Sequence, residues 1–302
     1  MDNWKTFVRS GGSLREVSLE DGVSGWASPP GNFFNVRGLH YFSKKQKIPA
    51  GDCLFQALGV DWLRSHSKLS HVLGRSDNRV MKALRTTQAR QGHLSKAFIF
   101  AINLQVPGRE QHSAVFYFVT EEPIPHGSLI YRFIHGDDAF RNSRFKLVNK
   151  IVRGPWILRT TVGNHGTCLL GKALTCNYVR GPNYLEIDVD IGSSAFASAI
   201  LHLALGYITH VTVDMAFLVE SQAEEELPER VFGTTRIAQI ELSAAVFTDP
   251  DDSTAIHAMS GELSSWRKFS RSLSFLGHHG KHSKIETEKL EEKVESRLEE
   301  FK

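Results

Sequence analysis

The chain has 302 residues, 41% of them hydrophobic and 23% charged, with a formal charge of +3 and a pI near 8.7. That composition supports a core of ordinary size, and the mild positive charge fits weak attraction to an anionic surface while excluding a strongly basic nucleic-acid binder. Three cysteines, Cys53, Cys168 and Cys176, make an odd count without a CxxC pair, which argues against a disulfide framework and for a reducing, cytoplasmic setting.

Residues 1–22 are Gly- and Ser-rich and are expected as a flexible lead-in, with Trp26 as an anchor beyond it. Their opening, MDNWKTFVRSGG, has neither the apolar run of a signal peptide nor the second-position glycine of a myristoylation site. From residue 23 to 245 the pattern predicts one domain. Residues 36–42 and 53–63 read as short strands separated by the basic turn Lys44-Lys45-Gln46-Lys47. Residues 64–95 read as an exposed excursion with one helix near 79–90. Residues 97–106 and 113–120 are β-branched and aromatic runs joined by Pro107-Gly108, a hairpin signal.

Residues 127–140 are expected as helix in two pieces, broken at Gly136. Residues 144–148, 156–162, 172–179 and 184–191, divided by glycine-containing turns, read as a second antiparallel set. Ser193-Ser194 offers an N-cap for a small-residue helix over 193–205. Beyond Gly206 the apolar residues alternate, which predicts a strand to Val219, with a continued helix as the alternative. The segment 195–219 is apolar enough to suggest a membrane span, but Asp214 within it would cost about 3 kcal/mol at a bilayer centre, so a buried element fits better. A short helix over 223–232 and a strand over 236–242 close the domain. Residues 246–302 form a polar, basic tail ending in a short charged helix.

Several clusters could carry chemistry. Asp188 and Asp190 lie two apart in a strand and so share a face, where they could bind a cation, act as acid and base, or pair with Arg132, Arg141, Arg144, Arg153 and Arg159. His135, Asp137 and Asp138 read as a turn and helix start. Ser193 and Ser194 lack a GxSxG elbow, and His165 beside Cys168 has no second ligand pair at zinc spacing. His278, His279 and His282 read as a solvated tail, so no metal and no cofactor is expected. Arg141, Asn142, Ser143, Arg144 and Lys146 could ligate a phosphate or simply neutralise acidic pairs; both readings stay open.

In the tail, Trp266, Phe269, Leu273 and Leu276 recur at helical spacing among Arg267, Lys268 and Arg271, a pattern suited to an anionic membrane. Ser270 and Ser274 each follow an arginine by three residues and are phosphorylation candidates that would weaken that contact. Leu290, Val294, Leu298 and Phe301 form a stripe through which the last helix could meet another protein.

The run GSLIYRFIHGDDAFRNSRFKL, then WILRTTVG, then LLGKALTCNYVRGPNYLEIDVDIGSS resembles the C-terminal domain of the plant Enhanced Disease Resistance 2 family. The blocks WASPPGNFFNVRG, KIPAG, VDWLRS, FIFAINLQVPG, AVFYFVT, VDMAFLVE and ELPERVFG extend the resemblance over roughly residues 23–245. One departure is GNHGTCLLGKAL, where relatives usually carry Lys-Pro before the Cys; it puts a loop in doubt. Full-length relatives have pleckstrin-homology and START domains upstream, which this chain is expected to lack. The resemblance implies phosphoinositide and lipid binding, membrane association and restraint of defence-linked cell death. It transfers no catalytic residues.

The expectation is therefore a single β-rich α+β domain of START-like shape, its curved antiparallel sheets covered by the 193–205 helix. It would enclose an apolar cavity lined by Phe98, Phe100, Phe116 and Phe118. Function is expected to be non-enzymatic lipid or membrane-surface binding in the cytoplasm, with no nucleic-acid partner. The competing readings are a protein-interaction domain with a filled core, and a hydrolase using Asp188, Asp190 and His135.

Overall fold

The structure is a computed structural model and describes residues 3–20, 22–91, 96–162 and 166–249. It begins with helix α1 (Asn3–Ser10), strands β1 (Gly25–Ala27) and β2 (Asn35–Arg37), a helical turn α2 (Tyr41–Lys44) and strand β3 (Lys47–Pro49). Strand β4 (Gln56–Ser65), helix α3 (Arg79–Gln91) and the hairpin β5 (Phe98–Val106) and β6 (Gln111–Thr120) follow. Then come α4 (Leu129–His135), α5 (Asp138–Arg144), β7 (Phe145–Arg153), α6 (Trp156–Val162), β8 (Gly166–Leu169) and the turn α7 (Leu170–Ala173). The chain closes with β9 (Thr175–Gly181), β10 (Tyr184–Asp190), α8 (Ala195–Leu205), β11 (Thr212–Val219), β12 (Val231–Ala238) and β13 (Val246–Phe247).

The expected α+β class holds. A five-stranded sheet in the order β1-β12-β11-β7-β8 is antiparallel throughout. A six-stranded sheet in the order β13-β4-β6-β5-β10-β9 is mixed, because β10 runs parallel to β5 and β13 parallel to β4. Strands β2 and β3 pair as a separate antiparallel ribbon.

Alternation along β5, β6 and β10 sends two apolar sets in opposite directions. Phe100, Ile102, Phe116, Phe118, Leu185, Ile187 and Val189 join Phe145, Phe217 and Phe232 of the five-stranded sheet in one aromatic core. Ile99, Ala101, Val115, Tyr117 and Val119 face the other way, against Trp4 and Val8 of α1 and Val80 and Leu84 of α3. The six-stranded sheet is thus buried on both faces, which is why its strands read as continuous apolar runs. A third cluster, with Phe34 and Val36 against Val148, Ala216 and Leu218, covers the outer face of the five-stranded sheet.

Helices close the two ends of the aromatic core. At the end where β7 begins and β11 finishes, α4 contributes Ile130, Phe133 and Ile134. At the opposite end, where β7 finishes and β11 begins, α8 packs Leu201 and Leu205 against the core. The break between α4 and α5 falls at Gly136, as the sequence predicts, and Ser128 and Asp137 cap the two helices by accepting from the backbone N–H groups of Tyr131 and Phe140.

Four local expectations are corrected. Residues 156–162 form a helix, because Gly154-Pro155 supplies a helix start that outweighs the β-branched Thr160, Thr161 and Val162. Residues 36–42 are strand only as far as Arg37 and turn helical at Tyr41. Residues 223–232 hold one 3-10 turn, Glu224–Glu226, and then enter β12, since Pro228 cannot extend a helix. The lead-in carries more structure than its glycines and serines indicate: α1 buries Trp4 and Val8, and Arg236 in β12 donates to the Leu19 carbonyl at 2.8 Å.

Among the described residues no helix is long and apolar enough to cross a membrane. The 195–219 segment is α8 followed by β11, the helix-then-strand reading.

Candidate functional site

Asp188 and Asp190 do share a face of β10, and Glu186 shares it with them. That face looks towards the loop before α3, away from the aromatic core. Glu186 accepts the backbone N–H groups of Val72 at 2.6 Å and Leu73 at 2.8 Å, and Asp188 accepts the backbone N–H of His71 at 3.0 Å and the side-chain Nδ2–H of Asn103 at 2.8 Å. Asp190 takes Lys68 at 2.7 Å. Burial pushes the Glu186 carboxyl well above the usual range, and the neighbouring Asp188 adds to it; burial also raises Asp188. Of the readings the sequence left open, pairing with arginines is not the one the structure shows: backbone amides and the Asn103 side chain satisfy the two buried carboxylates. Their chemistry is that of a clasp holding the 68–74 loop to the sheet. His135 is on α4, whose buried residues pack on the other face, so the structure does not assemble Asp188, Asp190 and His135 into one cleft.

His135 instead stacks on Tyr131 with ring centroids 4.1 Å apart. Partial burial and then Arg180 hold its pKa below the ordinary value. Asp137 is a helix cap, and Asp138 pairs with Arg141 at 2.7 Å.

The basic cluster of Arg141, Arg144 and Lys146 is buried and spoken for. Arg141 donates to the carbonyls of Phe133 at 3.0 Å and Ile134 at 2.8 Å, capping α4. Arg144 pairs with Glu226 at 2.7 Å, and Lys146 with Glu229 at 2.8 Å and Glu220 at 3.5 Å. Arg37 reaches Glu220 at 2.9 Å and extends the network. Arg37, Arg144 and Lys146 neutralise acids from the 220–229 loop, far along the chain, while Arg141 pairs with Asp138, and the cluster presents no free fork to a phosphate.

Phe100, Phe116 and Phe118 fill the space in which a cavity was expected. Phe100 stacks on Phe232 at 4.5 Å, Phe116 meets Phe217 at 5.7 Å, and Phe118 meets Phe217 at 6.0 Å. Phe98 is half-buried beside Phe55, at 6.4 Å. A cleft of about 290 Å³ does reach Phe232, between Leu54, Leu129, Ile130 and Val219, with Arg132 and Glu226 on its polar wall. Those two residues pair at 2.8 Å.

The most unusual surface lies at the opposite end of β7 and β11, where α6 rests against α8. Helix α8, AFASAILHLAL, is apolar nearly all round yet buries no residue fully. Trp156 at the start of α6 is 73% exposed, Phe196 in α8 is 55% exposed and Tyr207 after α8 is 42% exposed. Arg153, Gly154, Pro155, Arg159, Tyr207 and His210 line a shallow depression of about 420 Å³. Neither arginine forms an ion pair with a described carboxylate.

Sequence reasoning missed Trp156 and Phe196 because the first stood in a run read as a strand of the second antiparallel set and the second in a segment read as buried. A charge signal was present: residues 139–185 contain no Asp or Glu but eight Lys or Arg, and residues 191–213 are also free of acids. An acid-free tract carrying exposed aromatics marks an outward-facing basic, apolar face. Trp266, Arg267, Lys268, Phe269, Ser270, Arg271, Leu273, Ser274 and the 290–301 stripe lie outside the described residues, as do His165 and the tail histidines.

Comparison with known proteins adds the family. The family described as "Protein ENHANCED DISEASE RESISTANCE 2, C-terminal" matches residues 26–241. A curated protein of Arabidopsis thaliana, "Protein ENHANCED DISEASE RESISTANCE 2-like", is 46% identical over 240 residues, covering 80% of this chain and 32% of its own length. The chain thus spans about a third of that relative. No solved structure matches it. With the family signature running through both sheets, from β1 to beyond β12, the chain belongs to the Enhanced Disease Resistance 2 C-terminal family.

Proposed function

We propose that this chain is a non-enzymatic regulatory protein that binds anionic membrane surfaces through the α6–α8 face, in the control of plant disease resistance that the family's name describes. The observation that carries the reading is the exposure of Trp156 and Phe196 on the packed helices α6 and α8, together with Arg153 and Arg159, which meet no carboxylate among the described residues. Aromatic rings insert at the headgroup level while cations meet anionic lipid. Roughly 2 kcal/mol from each ring and about 1 kcal/mol from each arginine sum to about 6 kcal/mol, a reversible affinity in the tens of micromolar. That strength suits a peripheral protein. The filled aromatic core supports surface contact over enclosure of a lipid.

The test is sedimentation of the full chain with vesicles of phosphatidylcholine, with and without phosphatidylserine. Binding is expected only with the anionic lipid, and W156A/F196A is expected to lose most of it. A separate W266A arm measures the tail's share. If wild-type protein stays in the supernatant with both vesicles, the membrane reading is wrong. The same exposed Trp, Tyr and Arg residues are those favoured at protein interfaces, and an interaction domain then becomes the better description.

A further inference from the structure

We propose that the open edge of β9 is a docking site for an extended acidic segment of a partner protein, which adds to the six-stranded sheet as a further strand. The site stands independently of the membrane reading.

The edge is open because of how β10 divides its hydrogen bonds. The Ile99 backbone N–H donates to the Asn183 carbonyl at 2.9 Å, and Ile99 lies opposite Tyr184 in the parallel pair. In a parallel ladder that bond turns the odd-numbered residues of β10 towards β5 and leaves Tyr184, Glu186, Asp188 and Asp190 to bond β9. Their partners Gly181, Val179, Asn177 and Thr175 are thereby engaged. The N–H and C=O groups of Cys176, Tyr178 and Arg180 point the other way and have no hydrogen-bond partner among the described residues.

The other sheet edges are shorter or covered. Strand β13 has two residues and β8 four, and residues 15 and 17 already bond both backbone groups of Trp26 in β1. Strand β9 has seven residues in unbroken register with β10, no proline and one charge, Arg180. Bulges, prolines and clustered charges are what ordinarily guard an edge, and β9 has none of them.

The side chains define the partner. Cys176, Tyr178 and Arg180 share the face of core residues Val189, Ile187 and Leu185. On that side Asp138 is paired with Arg141, whose guanidinium lies 5.4 Å from the centre of the Tyr178 ring. Glu186, Asp188 and Asp190 occupy the opposite face and are bound by the 68–74 loop. Arg180, and Lys172 on the turn leading into the strand, are exposed and meet no carboxylate among the described residues. An added strand therefore meets a cation near each end, with Thr175, Asn177 and Val179 along its other face. A segment that alternates acidic and β-branched residues matches both, while its main chain supplies the hydrogen bonds.

The experiment uses the full chain and three blocked ten-residue peptides: glutamate alternating with valine, the same peptide N-methylated throughout, and lysine alternating with valine. Amide exchange is followed by NMR. In the free protein the amides of Cys176, Tyr178 and Arg180 are expected to exchange faster than those of Asn177 and Val179. The glutamate peptide is expected to slow all three at least fivefold, and the other two peptides to leave them unchanged. K172Q/R180Q, verified as folded by circular dichroism, is expected to bind the glutamate peptide about tenfold more weakly. Slow exchange of the three amides in the monomer, or no protection by millimolar glutamate peptide, overturns the site. Equal binding of the N-methylated peptide overturns strand addition. Equal binding of the lysine peptide, or unchanged affinity in K172Q/R180Q, overturns the acidic class. A dimer seen by sedimentation without peptide, with the same amides protected, makes the occupant a second copy and overturns the acidic partner.

Discussion

Asp214 and Arg236 face each other across β11 and β12 in a two-pronged ion pair, Nε to Oδ1 at 2.5 Å and Nη2 to Oδ2 at 2.8 Å. The aspartate is fully buried and the arginine nearly so. Removing one partner strands the other without water. D214A is expected to cost about 3–5 kcal/mol, and an apolar pair such as D214V/R236M to recover much of it. Urea unfolding checks both values. A D214A cost below about 1 kcal/mol would show that water reaches Arg236 in the variant.

Glu186 and Asp188 make stability depend on pH in an unusual direction. Both carboxyls hold protons more tightly folded than unfolded, Glu186 through burial and then the charge of Asp188, Asp188 through burial. Their contribution is fully present below the ordinary carboxylate range. It is lost as pH rises through their elevated folded values. E186Q is expected to flatten that decline, measured as urea midpoints across the acidic to neutral range. An unchanged slope in E186Q would mean that Glu186 is ionised in the folded protein.

Cys176 is expected to resist alkylation. Burial above all pushes its thiol up to about 12, with Cys168 contributing and Tyr178 opposing. At about pH 8 the thiolate fraction is then roughly a thousandfold below that of a free cysteine near 8.5. Labelling with iodoacetamide, followed by peptide mass spectrometry, should show Cys176 modified only after denaturation. Rapid native labelling would place the thiol in contact with solvent.

Trp156 and Phe232 should separate binding from stability. W156A is expected to shift stability by no more than about 0.5 kcal/mol, since the ring is mostly exposed. F232A empties a position touched by Phe55, Phe100, Phe118 and Phe217 and should cost about 3–5 kcal/mol. Thermal melts of the two variants give the comparison. A large loss in W156A would make the ring a packing residue and withdraw it from the surface.

What could be read beforehand was what depends on neighbours in sequence. Gly136 between two capped helices, Pro107-Gly108 between two apolar runs and the alternation after Gly206 are local signals, and each element stands where they put it. The partners of Arg144 and Lys146 lie 82 and 83 residues away. Those of Glu186 lie 114 and 113 away. No spacing rule reaches that far, so the sequence left open whether this cluster ligates a phosphate or neutralises acids, and only the fold shows which acids it meets. The α6–α8 face was missed for a related reason: apolar residues announce burial, and only the three-dimensional placement shows which ones the core never claimed.

The parallel seam between β5 and β10 has a consequence for synthesis. Strand β5 gains its second neighbour only when residues 184–190 arrive, after α4 to α7, β7, β8 and β9 have been made. A chain emerging from the ribosome therefore carries the hairpin β5–β6 with one edge open, and that edge is a row of unpaired backbone groups flanked by phenylalanines. Closure across so long a stretch is slow. Until residues 184–190 pair with β5, that open edge is the part of the sheet most exposed to aggregation.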